Sequence, residues 1–225
     1  MSHKKQTSTK KRVLIVDDHP LLREGIARLV NDQPDLMVCG EAEDRPAALA
    51  AADTGKPDLA VVDISLKDQS GLELIKDFKV RFPHLLILAL SVHDESVYAE
   101  RALRAGARGY VMKREASGKV LEAIRSVLDG KVYISSRIAA GIMDKVTGYA
   151  AGATRSALDV LSDREMEVLM WIGKGYGSTQ VAKQLAISVK TVEAHRANIK
   201  LKLNLSSSGE LLQCAIGWAQ HMGEI

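Results

Sequence analysis

The 225 residues predict two domains: a flavodoxin-like α/β domain with a five-stranded parallel sheet, then a small all-α helix-turn-helix domain. Three observations carry that expectation. In the first half, short apolar runs alternate with amphipathic stretches, as βα units do. A small, polar stretch without apolar periodicity, Gly148 to Ala157, separates the halves. Beyond Leu161 no strand pattern recurs, and helix start signals punctuate the chain.

Five strands are expected at Val13 to Val16, Met37 to Cys39, Leu59 to Val62, Leu86 to Leu90 and Tyr110 to Met112. Helices should begin near Pro20, Arg45, Gly71, Glu95 and Ser117. The first shows Leu22, Ile26, Leu29 and Val30 at helical spacing. A further helical pattern ends near Val146. In the second half, Ser162 with Glu165 makes a capping box, with Leu161 and Met166 as its staple. Ser188 caps the third helix there, and Ser207 with Glu210 forms another box. The chain divides as a basic tail 1–11, an α/β domain 12–131, a helix and linker 132–157 and a helix-turn-helix domain 158–225.

Composition narrows the class. Hydrophobic residues make up 46% and charged residues 26%, which suits globular cores and excludes wholesale disorder. The longest apolar run, Leu85 to Leu90, is too short to span a bilayer, so no membrane role and a cytoplasmic location are expected. Cys39 and Cys214 stand far apart in apolar segments and read as small buried hydrophobes. The net charge of +3 is more than accounted for by Lys4, Lys5, Lys10, Lys11 and Arg12. Distribution says more than the sum: Lys174, Lys183, Lys190, Arg196, Lys200 and Lys202 fall where Glu193 is the only acid, predicting one basic face.

In an open α/β sheet, ligands bind beyond the carboxyl ends of the strands. Asp17 and Asp18 follow the first strand, Asp63 the third, Ser91 the fourth and Lys113 the fifth. Three neighbouring carboxylates repel one another unless a cation sits among them. A hard divalent ion, Mg2+ or Mn2+, suits oxygen ligands at a site that gains and loses phosphate. A carboxylate can attack phosphorus to form an acyl phosphate, and Asp63 is the candidate nucleophile. Lys113 and Ser91 supply the cation and hydroxyl that a bound phosphoryl group needs. Singly, each residue has a plainer reading: Asp17 or Asp18 favouring a helix start, Ser91 a turn residue, Lys113 a solvated strand end.

The stretches VLIVDDHPLLREGI, DLAVVDISLKDQSGLELI, LILALSVHDE and AGARGYVMK resemble the signature blocks of response-regulator receivers. That resemblance implies Asp63 as phosphoacceptor, with Asp17, Asp18 and the Ser65 backbone carbonyl completing the metal ligands. It implies Ser91 and Lys113 at the phosphoryl oxygens and Tyr110 as the aromatic that follows the Ser91 state. Leu66 and Lys67 depart from the family's usual Met-Pro, and Arg114 stands where a proline is common. Ser65 and His93 occupy positions that in the family influence hydrolysis of the phosphoaspartate.

The segment GKGYGSTQVAKQLAISVKTVEAHRANIKLKLNL reads as helix, turn and helix, packed through Ala182, Leu185, Ile187, Val192, Ile199 and Leu203. Lys190, Thr191, Glu193, Ala194, Arg196, Ala197 and Lys200 are left on accessible faces. Preceded by LSDREMEVL, the segment is similar to LuxR-type DNA-binding domains, and the whole chain to the NarL/FixJ response regulators. The resemblance implies Thr191, His195, Arg196 and Lys200 near phosphates, and Glu193, Ala194 and Ala197 facing bases. It further implies a histidine kinase as partner, double-stranded DNA with two-fold sites, and a homodimer on phosphorylation, held in the family by the last helix. Such a chain is a phospho-accepting regulator, not a turnover enzyme. Glu193 can accept from a cytosine amino group or pair with Lys190 or Arg196, and both readings stand. A phosphoaspartyl hydrolase would carry a second acid at position 65, where Ser65 stands. A helical module that binds protein instead of DNA is the other rival.

Overall fold

The computed structural model describes residues 10–66, 70–92, 95–147, 160–185 and 187–221. The chain divides into two compact units, Met1–Ala139 and Ala140–Ile225. The cut falls within the stretch read as helix and linker. Most of the basic tail, the Gly148 to Ala157 linker, Lys67 and His93 lie outside the described residues.

In the first unit, β1 (Lys11–Val16), β2 (Leu36–Ala42), β3 (Leu59–Asp63), β4 (Leu86–Ser91) and β5 (Gly109–Met112) form one sheet in the order β2-β1-β3-β4-β5. All pairings are parallel. Expected and observed strands agree, with β2 extended at both ends. The helices are α1 (Pro20–Asn31), α2 (Arg45–Gly55), α3 (Gly71–Arg81), α4 (Glu95–Ala105) and α5 (Ala116–Leu128). A 3-10 turn, Lys113–Glu115, joins β5 to α5, so the chain enters the last helix directly after the lysine.

Alternation along each strand sends successive side chains to opposite faces. Val13, Ile15, Leu59, Val61, Leu88, Leu90 and Val111 pack with Ile26 and Val30 of α1 and Val120, Ile124 and Val127 of α5. Leu14, Ala60, Val62, Ile87 and Ala89 are equally buried among the remaining strand residues. Both faces are therefore covered, and β3 and β4 read as near-continuous apolar runs for that reason.

The carboxyl ends of the strands are brought together by register. Asp63 pairs with Leu90, which places Ser91 one residue beyond Asp63 on the neighbouring strand. Ser91 pairs with Met112, and Lys113 follows. Val16 pairs with Val62, so Asp17 flanks Asp63 on the other side. The order reverses between β1 and β3, and the acidic residues stand at that crevice.

α3 starts where it does because residue 71 is glycine. A Cβ there would lie 2.0 Å from the Asp63 carbonyl oxygen and 2.5 Å from Ile64 Cα. The Gly71 amide donates to Ile64 O at 3.0 Å. The loop after β3 is thus closed against the Asp63 backbone with no room for a side chain.

The second unit contains α7 (Asp163–Gly173), α8 (Ser178–Gln184), α9 (Val189–Lys202) and α10 (Ser208–His221), while α6 (Ser136–Thr147) spans the division. The Ser162–Glu165 capping box forms as expected, with Leu161 and Met166 both buried. Ser188 accepts from the Thr191 amide at 3.0 Å and caps α9. The box at α10 differs in one bond. Ser207 Oγ accepts from Glu210 N at 3.1 Å, but Glu210 reaches back to the Ser206 amide at 2.7 Å. Val181, Ala182, Val192 and Ile199 are buried between the helices, whereas Leu185, Ile187 and Leu203 are half-buried. Val181 is the core position the periodicity missed.

Replacing Gly71 by Ala is expected to destabilise the first unit by about 1–3 kcal/mol, the usual range for forcing extra atoms into a packed site. Chemical denaturation checks the stability. The same variant should lose divalent-ion affinity, because the intruding methyl displaces the Asp63 backbone.

Candidate functional site

Asp63 ends β3 fully buried, and Asp17, 1% exposed, stands just beyond β1. An unpaired carboxylate at that depth costs several kcal/mol. Lys113 meets both. Its Nζ lies 2.7 Å from Asp63 Oδ2 and 2.8 Å from Asp17 Oδ2, with the lysine side chain only 7% exposed. Asp63 Oδ1 accepts from the Ser65 amide at 3.1 Å, and Asp17 Oδ1 from the His19 amide at 2.8 Å. Arg23 donates to the Asp17 carbonyl at 2.6 Å and ties α1 to this end of the sheet.

One ammonium does not satisfy this many oxygens. Asp17 Oδ2, Asp18 Oδ1 and Ser65 Oγ are out of solvent and take part in no hydrogen bond of acceptable geometry. Asp17, Asp18, His19 and Asp63 each present a ligand atom, all within 4.8 Å of one another. These oxygens suit a hard divalent cation, and the residues fit one. Such an ion, when bound, neutralises the charge on a transferring phosphoryl group.

Burial drives the Asp63 carboxyl up to about 6; Lys113 opposes that rise and Asp17 adds to it. Burial also works against the charged Lys113, but Asp63 and Asp17 outweigh it and raise its pKa. Asp63 is therefore protonated more easily than an exposed carboxylate. Ser91 is fully buried at the end of β4, and Tyr110 is 4% exposed on β5, beside Ala89. The structure thus brings Asp17, Asp18, Asp63, Ser91 and Lys113 to the carboxyl end of the sheet, with Tyr110 three residues before Lys113 on β5. His19 stands among them too, a correction to the expectation that no histidine spacing in this sequence suggests a metal site. Its position directly after two strand-end aspartates was the available signal.

In the second unit, α9 presents Lys190, Thr191, Glu193, Ala194 and Ala197 as exposed residues. His195, Arg196 and Lys200 are half-buried. His195 is pushed down by burial and by Arg164 nearby, so its ring is mainly neutral at pH 7. Glu193 accepts a hydrogen bond from the Ser178 hydroxyl at the start of α8 and lies 3.8 Å from Arg196. The pairing with Arg196 that the sequence allowed is therefore present, and Ser178 is a partner it did not suggest. Lys202 Nζ reaches the buried Glu165 Oε2 at 2.7 Å, and Ser162 N donates to the same oxygen at 2.7 Å. Burial pushes Glu165 up, but these donors bring it below its ordinary value. The end of α9 is thereby pinned to the start of α7, which sets the tilt of the presented face.

Two family models match the chain: "Response regulator receiver domain" over residues 13–125 and "Bacterial regulatory proteins, luxR family" over residues 159–215. The chain belongs to the response regulators with a LuxR-type DNA-binding domain. Among curated relatives of this regulator, the oxygen regulatory protein NreC of Staphylococcus carnosus (strain TM300) is 35% identical over 209 residues. That match covers 91% of this chain and 96% of the relative. A LuxR-family two-component response regulator from Aurantimonas sp. SI85-9A1 is similar over 62% of this chain and 99% of its own, with 32% identity and a TM-score of 0.56. RcsB from Salmonella enterica serovar Typhimurium, bound to promoter rprA with phosphomimetic BeF3-, covers 91% of this chain and 98% of its own. Its identity is 26% and its TM-score 0.57. The regulator therefore carries a receiver and a DNA-binding domain, and no helix among the described residues is long and apolar enough to cross a membrane.

A carboxyl with its folded pKa raised binds more protons folded than unfolded, so it lowers stability as pH climbs from about 4 to about 6. Without divalent ions, Asp63→Asn should be more stable than the parent by about 1–3 kcal/mol at pH 7.5, with the gap closing as pH falls to about 4. Thermal or urea unfolding across that range checks it. Mg2+ should stabilise the parent more at pH 7.5 than at pH 5.

Proposed function

We propose that this regulator accepts a phosphoryl group on Asp63 from a histidine kinase, and that the modification controls dimerisation and sequence-specific DNA binding to regulate transcription. The observation that carries the reading is the buried Lys113 ammonium bridging Asp63 and Asp17 at the switch point of the sheet. Asp63 Oδ supplies the nucleophile. Asp17, Asp18, Asp63 and the Ser65 carbonyl would hold Mg2+ or Mn2+. Lys113 keeps one carboxylate oxygen of Asp63 oriented and remains as a cation for the phosphoryl oxygens. Ser91, one residue beyond the Asp63 pairing partner, donates its hydroxyl to the same group, and Tyr110 follows it.

Phosphorylation adds charge and acceptor oxygens next to Ser91 and Lys113, and shifts the population only as far as those contacts favour one state. The DNA reader is α9. Lys190, Thr191, Arg196 and Lys200 serve phosphates, with His195 as a neutral donor, and Glu193, Ala194 and Ala197 face base edges. The active form is a homodimer on a two-fold site in double-stranded DNA. A receiver of residues 12–131 and a DNA-binding domain of residues 158–225, joined through 132–157, work in the cytoplasm without turnover of an external substrate. The promoter-bound structures of RcsB support this reading by likeness.

With acetyl phosphate and Mg2+, the parent should take up one hydroxylamine-labile phosphoryl group, and Asp63→Asn none. Phosphate on another residue of that variant refutes the assignment. In quantitative footprinting, Lys200→Ala should weaken DNA binding at every sequence by a similar factor and flatten the salt slope by about one unit. Affinity indifferent to salt would point to a protein ligand for α9 instead.

A further inference from the structure

His19 lies beside the carboxylates with one ring nitrogen turned into them. Its Nδ1 is 2.8 Å from Asp18 Oδ1, 3.1 Å from Asp17 Oδ1 and 3.4 Å from Lys113 Nζ. No proton arrangement satisfies all three neighbours. Carrying a proton, Nδ1 can donate to Asp17 but sets an N–H against the Lys113 ammonium. Without one, it can accept from Lys113 but opposes its lone pair to two carboxylate oxygens. Asp18 Oδ1 finds no hydrogen bond, although it is buried and 2.8 Å away.

A divalent ion resolves the mismatch at Nδ1 and Asp18, since lone pair and carboxylates then face one positive charge, while Lys113 keeps its contact with Asp63. The type of ion matters. Mg2+ prefers oxygen and holds its waters, so an imidazole adds little for it. Borderline ions such as Zn2+, Co2+ and Ni2+ bind imidazole well. Four ligand atoms within 4.8 Å of one another form a set compact enough to close on one such ion.

We infer that His19 makes the receiver pocket a site for a borderline transition ion, held by His19 Nδ1 with the carboxylates of Asp17, Asp18 and Asp63, in competition with Mg2+. The inference rests on the metal site proposed above and adds to it a nitrogen ligand that Mg2+ does not need. The side chain is 63% exposed, so the ring can swing away and leave the oxygen set to Mg2+. The pocket thus reads two metal classes, with the histidine engaged for one and idle for the other.

Calorimetric titration of the full-length protein with ZnCl2 and, separately, MgCl2 tests this on the parent, His19→Ala and Asp63→Asn. His19→Ala should lose about tenfold or more in Zn2+ affinity while Mg2+ affinity stays within about twofold. The retained Mg2+ affinity also reports a folded pocket. With Co2+, the parent should show a paramagnetically shifted imidazole N–H proton resonance that His19→Ala lacks. Equal loss for both ions would make His19 a positioning residue for Asp17 and overturn the inference. Unchanged Zn2+ affinity in His19→Ala, with loss in Asp63→Asn, would overturn it and leave the Mg2+ site standing. If Asp63→Asn weakened neither ion, the metal reading itself would fall.

Discussion

The first unit is organised around one electrostatic constraint: two carboxylates without solvent, Asp17 and Asp63, share a single ammonium from Lys113. Those three residues come from three strands, and the lysine is reached only after the whole sheet has been laid down. Burial favours the protonated acid, Lys113 favours the charged one, and Asp63 is left near 6. Such a site is poised, because a small change in local charge alters its protonation and its partners. A purely structural ion pair would gain nothing from Asp18 and His19 crowding the same pocket.

Rigidity below the pocket makes that poise useful. β3 and β4 are apolar on both faces, and Gly71 lets α3 close directly on the Asp63 backbone. The carboxylate is therefore carried by strand backbone held in a parallel ladder, and the amide of Ser65 holds one of its oxygens. Ser91 ends the adjacent β4, and Tyr110 lies on β5, one strand further out.

The second unit solves a different problem with a similar device. α9 has little amphipathic character of its own, since most of its residues must stay available to solvent. Val192 and Ile199 anchor it, and the Lys202 to Glu165 pair fixes its far end on α7. Gly173 permits α7 to approach the Ala215 carbonyl of α10, where a Cβ would lie at 2.5 Å. The presented face is thus set by packing behind it.

Much of this was legible in the sequence because it is local or periodic. Strand-end positions of Asp17, Asp18, Asp63, Ser91 and Lys113 followed from counting apolar runs, and the Ser162 and Ser188 caps from spacing alone. The likeness to known signature blocks then supplied roles that periodicity could not. His19 was set aside because a histidine in a loop has no periodic partner, and only the assembled sheet brings Lys113 and Asp63 beside it and its neighbours Asp17 and Asp18. Ser178 as the partner of Glu193 was missed for the same reason: it lies 15 residues away, across a turn whose geometry the sequence does not encode locally.

What the sequence determined by itself was the order of the elements, their caps and the chemical types at each strand end, since these depend on near neighbours and on burial patterns. What tertiary structure decided was distance: that one ammonium reaches two carboxylates, that His19 turns its Nδ1 toward them, and that Glu210 caps Ser206 instead of Ser207. Charge interactions fall with separation and with solvent, and neither is defined until strands distant in sequence are assembled into one sheet.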